Sequence, residues 1–220
     1  MAFTMTHLIV AENVSEIFGD HALLLPQYYL GSIAPDAVHN RENYISDYKK
    51  KSHLITDDAK WGMITNNDRW RANVASFLKN HKDSEHYDFI LGYCCHILTD
   101  LYNNINVWTP YRLSNSVDIE SINDSIHHRE NNKIDIELAL THESRSDFWL
   151  NLTKSRSIEL PPIIYATEID AQKDKILNSW YKDKDRQDVS KNTIRTFEGE
   201  MDFIVNATDY VVKFFHENLC

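Results

Sequence analysis

The sequence predicts an all-α protein: a single-domain helical bundle of roughly seven or eight helices around a buried central helix. The first observation behind this is that residues 88–104 are apolar on nearly every side, a pattern typical of a helix buried in a core. The second is the scarcity of turn-forming residues, with only five glycines and five prolines in 220 residues. This argues against a turn-rich β architecture. The length favours one domain over residues 1–220.

Apolar residues at helical spacing predict further helices before and after the central one. They cover residues 6–18, 22–33, 67–79, 119–140, 148–152, 167–180 and 193–219. Residues 40–65, by contrast, are polar and irregular, which predicts a long loop. The charged run at residues 182–188 predicts a solvated connection.

The chain is acidic, with 23 Lys and Arg against 33 Asp and Glu and a formal net charge of −10. Such a surface disfavours duplex nucleic acid as a partner. A phosphorylated small molecule remains open, because bound metal ions would reverse the local sign of the charge. The sequence pattern gives no indication of the oligomeric state.

The cysteines Cys94 and Cys95 are neighbours on one predicted helix, and Cys220 is terminal. Adjacent helical cysteines do not bridge each other comfortably, so all three are interpreted as free thiols in a reducing compartment. The first residues lack a secretion signal, and no apolar run is long enough to span a membrane. The sequence therefore predicts a cytoplasmic protein without a transmembrane segment.

The central helix carries two polar residues, His96 and Asp100, in an otherwise apolar context. A spacing of four places both side chains on the same helix face. Burial of an unpaired carboxylate is costly, so Asp100 requires a partner. A divalent metal ion is one candidate and an Arg or Lys is another. His96 alone can also be satisfied by a backbone carbonyl.

Three other polar residues interrupt apolar context: His7 at the start of the first helix, Asp36 after the second, and His53 in the long loop. Together with the central pair they make three imidazoles and two carboxylates, a set that suits zinc or another first-row divalent metal. A shared carboxylate can bridge two ions about 3.5–4 Å apart, as in two-metal phosphoesterases. Asp100 is the expected bridge, because it comes from the rigid central helix.

Three motifs that follow an N-terminal Thr-His carry a family resemblance. They are GSIAPD (Gly31–Asp36), KKSHL (Lys50–Leu54) and GYCCHILTD (Gly92–Asp100). Their order resembles the bacterial zinc-dependent phospholipase C family, more specifically its shorter intracellular hydrolase-like members. The motifs span about the first half of the chain, and their order and spacing are more specific than any one of them.

The resemblance implies an all-helical bundle with a central zinc cluster that hydrolyses phosphate esters, similar in fold to zinc-dependent nucleases that cleave single strands. It implies two or three zinc ions and a small phosphate-ester substrate. The implied ligands are His7, Asp36, His53, His96 and Asp100, with Asp100 bridging. Asp36 is also the implied catalytic residue, which orients or deprotonates the attacking water.

The chain departs from the family pattern in two ways. Secreted members use their N-terminal amine as a ligand, whereas here Met1 lies six residues before His7. The family's later HxxxE helix, which serves a third ion, has no counterpart after Asp100. A third ion would then depend on Asp135, in a stretch that resembles one in short members where the aspartate points inward.

Two histidines are expected in supporting positions around the ligands. His128 lies seven residues before Asp135 and so on the same helix face. His39, close to Asp36 in the sequence, is either a hydrogen-bond partner of a ligand or an exposed loop residue. Five further histidines are expected at the surface: His21, His81, His86, His127 and His216.

Two alternatives to a phosphoesterase of this kind remain open. One is a nucleotide phosphohydrolase of the His-Asp helical class, which normally has the two residues adjacent; no His-Asp dipeptide occurs here. The other is a non-enzymatic helical protein with a structural or vestigial metal site. A coordinatively closed ion without turnover would identify the second alternative.

Overall fold

The computed structural model describes residues 2–18, 23–116 and 125–219. Within these ranges the chain forms ten α-helices and no extended strand, which confirms the all-α class. The helices are α1 (Thr4–Ile17), α2 (Leu25–Ile33), α3 (Ser46–Ser52), α4 (Asn67–Asn80), α5 (Tyr87–Asn103), α6 (Thr109–Asn115), α7 (Ile126–Thr141), α8 (Arg145–Lys154), α9 (Ala166–Asp174) and α10 (Phe197–Leu219). No helix in these ranges is long and apolar enough to cross a bilayer.

Short helical segments of other types extend or connect these helices. Asn104–Trp108 and Lys175–Ser179 are π-helical and continue α5 and α9, whereas Pro35–Asn40, Asp183–Asp185 and Val189–Lys191 are 3₁₀ turns. The predicted loop over residues 40–65 is wrong in part, because it contains α3. The predicted helix over 119–140 begins at Ile126, and residues 117–124 lie outside the described part of the chain.

Helix α5 is the centre of the bundle, as predicted. Every residue from Phe89 to Leu101 is buried. Helix α2 packs along α5 more extensively than any other helix does, and α1, α4 and α10 cover its remaining sides. Because α5 is enclosed all round, any polar side chain on it must find its partner inside the protein.

Two glycines allow α2 and α5 to meet backbone to backbone. A Cβ at Gly31 would lie 2.1 Å from the carbonyl oxygen of Phe89, and one at Gly92 would lie 1.9 Å from that of Tyr28. Neither position has room for a side chain. This close crossing sets the C-terminal end of α2, and the 3₁₀ turn that follows it, against the polar face of α5.

The start of α1 is held inside the protein by buried polar groups. The backbone N–H of Met5 donates to Asp135 Oδ1 at 2.7 Å, and the hydroxyl of Thr6 donates to Glu200 Oε1 at 2.6 Å. Asp135 lies on α7 and Glu200 on α10. These bonds satisfy N-terminal groups that a helix leaves unpaired, and they place His7 in the core.

Candidate metal centre

The structure brings all five predicted ligands together. His7 comes from the first turns of α1, Asp36 from the turn after α2, His53 from the end of α3, and His96 and Asp100 from α5. Four of these side chains are at most 1% exposed, and Asp36 is 23% exposed. The group is thus enclosed by the bundle and reaches solvent on the side of Asp36.

Two of the imidazoles are oriented by backbone carbonyls. His96 Nδ1 lies 2.8 Å from the oxygen of Ser32, and His53 Nδ1 lies 2.9 Å from that of Lys49. Because a carbonyl only accepts, each neutral ring donates from Nδ1 and keeps its Nε2 lone pair for the centre. A backbone carbonyl therefore satisfies Nδ1 of His96, as one of the alternatives expected, while Nε2 of the same ring faces the cluster.

Four donor atoms enclose a first ion position. His53 Nε2 lies 3.3 Å from His96 Nε2, 3.5 Å from Asp36 Oδ1 and 3.4 Å from Asp100 Oδ2, and His96 Nε2 lies 4.0 Å from Asp100 Oδ2. Zinc bonds of about 2.0–2.1 Å in a tetrahedron place neighbouring donors about 3.3–3.4 Å apart. The three distances from His53 are close to this spacing, and Asp36, His53 and His96 form a group of side chains that could hold a metal ion.

A second ion position lies on the other side of Asp100. His7 Nε2 is 3.6 Å from Asp100 Oδ1, and the His7 ring stacks on that of His96 with centroids 3.6 Å apart. Among the described residues, neither nitrogen of His7 has a hydrogen-bond partner. The single available nitrogen of His96 serves one ion at a time, so the second position has fewer protein donors than the first.

The two carboxylates are held ionised. Burial alone would raise the pKa of Asp36, but the Lys49 ammonium, at 2.8 Å, and His53 hold it well below its usual range. Burial would also raise the pKa of Asp100, yet a hydrogen bond from His53 and the nearby imidazoles lower it. Both groups therefore carry the charge that metal binding requires.

The surroundings shift the pKa values of the three imidazoles in different directions. Burial lowers the pKa of His7 and of His96, against the partial opposition of Asp100. Burial acts the same way on His53, but hydrogen bonds to both carboxylates outweigh it and raise the pKa of that ring. His53 is therefore the ring of the cluster that protonates most readily, and metal binding requires its neutral form.

His39 lies beside the cluster, at the position expected for a residue that supports a ligand. Its Nε2 is 3.9 Å from Asp36 Oδ1 and 3.0 Å from the Lys49 ammonium. Partial burial of the ring, followed by the charge of Lys49, lowers the pKa of His39 to about 4. The ring is therefore neutral at pH 7 and accepts a hydrogen bond from Lys49.

Asp135 has a different set of partners from the one predicted. One carboxylate oxygen accepts from the Met5 N–H, and the other accepts from the Tyr181 hydroxyl, both at 2.7 Å. It belongs to neither group of three or more clustered metal-binding side chains found in the described residues. The ring of His128 packs against Phe3, with centroids 5.1 Å apart. The structure thus assigns Asp135 to anchoring α1.

Replacement of Asp135 by Asn should change the dependence of stability on pH. Burial, partly offset by the bonds from Tyr181 and Met5, raises the pKa of Asp135 to about 7. A carboxyl group with a raised pKa stabilises the fold fully below its unfolded pKa, and the contribution is lost as the pH rises towards 7. We expect the free energy of unfolding of the metal-free wild type to fall by about 4 kcal/mol more between pH 4 and 8 than that of Asp135→Asn.

Denaturant unfolding at several pH values in the presence of a chelator measures this difference. The comparison between the two proteins removes the contributions of the other titrating groups. Parallel pH profiles for the wild type and Asp135→Asn would contradict the assignment.

Sequence reasoning missed several residues around the centre. No sequence signal separates Lys49 from the two lysines that follow it, yet it is only 5% exposed, and none identifies the carbonyl of Ser32 as the partner of His96. His127, expected at the surface, is 2% exposed, so that prediction is wrong. His127 lies seven residues before Ile134, a spacing that places both on the same face of α7, and this spacing could have predicted its burial. Asn103, seven residues after His96, is likewise buried, without a side-chain partner among the described residues.

The expected resemblance to zinc-dependent phospholipases C is based only on the three sequence motifs and their order. Comparisons of the chain with protein-family models, with curated proteins and with solved structures find no match.

Proposed function

We propose that this protein is a metal-dependent phosphoesterase that hydrolyses a small phosphate ester with a metal-activated water. One observation carries the proposal: the two oxygens of Asp100 face different imidazoles, and Oδ1 also accepts a hydrogen bond from the backbone N–H of Ala2 at 3.0 Å. Oδ2 lies 3.4 Å from His53 Nε2, whereas Oδ1 lies 3.6 Å from His7 Nε2. A carboxylate placed in this way suits the bridge of a two-metal centre.

The bound ions would supply Lewis acidity and an acidified water at neutral pH. The residues of the chain would position the ions and the attacking water. Asp100 holds both positions at a fixed separation, and the bonds from His53 and His96 to carbonyls fix the ring orientations. Asp36 lies on the solvent side, and its pKa is well below the usual range. An acid this strong is a weak base, so its role is to orient the nucleophilic water rather than to remove the proton.

Zinc is the proposed metal, because borderline-soft imidazole and carboxylate donors at tetrahedral spacing suit it best. We propose two ions rather than three, because Asp135 belongs to neither group of side chains that could hold a metal ion among the described residues. The proposed location is the cytoplasm, and its support is that Cys94 and Cys95 are free thiols.

Elemental analysis together with an ester assay tests the proposal. Purified protein should contain about two zinc ions per chain and hydrolyse a generic aryl phosphate at near-neutral pH, with turnover abolished by chelation and restored by zinc. Protein reconstituted with stoichiometric zinc that turns over no ester on a broad panel would rule out the enzyme.

A structural metal site is the second candidate, and a specific observation favours it. The first ion position has four protein donors, a number that closes the coordination sphere and is typical of structural zinc. Under this reading the chain would bind one ion tightly and show no turnover. Under the phosphoesterase proposal, the less enclosed second position next to His7 must also fill.

A further inference from the structure

We infer that the ammonium of Lys49 binds the anionic oxygens of a dianionic phosphate group at the mouth of the metal centre. This inference rests on the proposed metal centre and extends the proposed function to a substrate class, the phosphate monoesters. The starting observation is that Lys49 is 5% exposed, which is rare for a lysine. Its two neighbours in the sequence, Lys50 and Lys51, are more exposed.

The ammonium of Lys49 is surrounded by three groups. Its Nζ lies 2.8 Å from Asp36 Oδ1, 3.0 Å from His39 Nε2 and 4.8 Å from the centroid of the Trp61 ring. The ring of Trp61 also meets that of His53, with centroids 4.8 Å apart. Because an imidazole and an aromatic face hold the ammonium independently of Asp36, it stays beside the centre when an ion takes over the carboxylate.

Among the described residues, the cluster is exposed on the side of Asp36 and His39, the two partners of Lys49. Asp36 is 23% exposed and His39 is 43% exposed, while the other predicted ligands are at most 1% exposed. A molecule that approaches the ions therefore passes these two residues. The ammonium is one hydrogen bond away from Asp36, a predicted ligand of the first ion, and so lies next to the exposed side of the cluster.

The charges at the centre favour a doubly charged anion. The two carboxylates, Asp36 and Asp100, and the ammonium of Lys49 give the cluster a formal charge of minus one when the imidazoles are neutral. Two divalent ions reverse this to plus three, in an environment that screens charge poorly. A phosphate monoester dianion neutralises more of this charge than a diester monoanion does. A zwitterionic head group would bring its own cation towards Lys49.

Phosphate binding to the zinc-loaded protein tests the inference, with inorganic phosphate, methyl phosphate and dimethyl phosphate as probes. Isothermal titration should show Lys49→Met weakening phosphate and methyl phosphate about 10- to 100-fold at equal zinc content, the range expected for one buried charged hydrogen bond. The loss should be smaller for the singly charged dimethyl phosphate. Lys49→Arg, which retains the charge, should lose less than Lys49→Met.

Lys50→Met is the matched control, because Lys50 is the next residue of α3 and its ammonium pairs with Asp47 at 3.3 Å instead. It should bind phosphate like the wild type. Equal phosphate affinity in Lys49→Met and the wild type would overturn the inference and leave the hydrolase proposal untouched. Zinc loss from Lys49→Met, without weaker phosphate binding at equal zinc content, would also overturn it, since the lysine would then serve only Asp36.

The experiments can refute the phosphoesterase proposal and the role of Lys49 in phosphate binding independently of each other. Lys49-dependent phosphate binding in a protein that hydrolyses no ester would support the inference and remove the enzyme. Hydrolysis that survives in Lys49→Met with an unchanged KM for methyl phosphate would support the enzyme and remove the inference.

Discussion

Asp100→Asn should lose the bridged metal centre. The amide is isosteric with the carboxylate but neutral, and only one of its two terminal atoms can bind a metal. The side chain is 1% exposed and lies among three imidazoles, so no solvent ligand replaces the missing oxygen. Loss of a residue that merely orients a ligand weakens metal binding about 10- to 100-fold, and loss of the bridge itself should weaken it by at least the upper figure.

We expect Asp100→Asn to retain no more than one zinc ion per chain, and its turnover of an aryl phosphate to fall at least about 1000-fold. Elemental analysis after dialysis and an initial-rate assay measure both quantities. Circular dichroism in a chelator checks that the variant folds. Asp88→Asn is the matched control, because Asp88 is in the first turn of the same helix and takes no part in the cluster. Full zinc content in Asp100→Asn would contradict the site.

Gly92→Ala should destabilise the fold strongly. Helix propensity alone would favour alanine over glycine in the middle of α5 by about 1 kcal/mol. The structure predicts the opposite sign, because the new methyl group would lie 1.9 Å from the carbonyl oxygen of Tyr28. That atom belongs to the backbone of α2, so the two helices must separate along their length. We expect a loss of about 3 kcal/mol or more in the free energy of unfolding.

Denaturant unfolding of metal-free protein measures the loss. Gly199→Ala is the matched control, since the nearest atom to its new methyl group is a hydroxyl, that of Thr196, at 3.0 Å. Its change should stay within about 1 kcal/mol. If Gly92→Ala folds, its zinc affinity should also fall, because the separation moves the Ser32 carbonyl away from His96. Stabilisation by Gly92→Ala would show that α2 and α5 do not cross as described.

The central helix was predictable because its signal is local. Residues 89–101 are apolar apart from Thr99 and the pair His96 and Asp100, and a helix of that composition must be buried wherever it packs. Helix α3 was not predictable on the same basis, because Ser46–Ser52 is polar throughout. It is a short helix whose stability comes from its tertiary contacts rather than from its own apolar stripe.

Lys49 shows why the surroundings of the site escaped the sequence. It is the first of three consecutive lysines with the same side chain and charge, yet it is the one that is buried. The difference lies in its partners: Asp36 and His39 come from the Pro35–Asn40 turn, and Trp61 comes from the segment after α3. For Asp135 the sequence indicated that the side chain points inward, but it did not indicate the hydrogen-bond partners Met5 and Tyr181.

By itself the sequence determined the helical class, the buried central helix and the identity of the five polar side chains that interrupt apolar context. Each of these follows from local spacing and composition, which act within a few helical turns. Only the tertiary structure decided that the two oxygens of Asp100 face different imidazoles, that the five side chains lie within a few ångströms of their neighbours, and that Lys49 contacts Asp36 on the exposed side of the group. These properties depend on how α1, α2, α3 and α5 are placed relative to one another, and that placement follows from long-range packing such as the glycine crossing of α2 and α5.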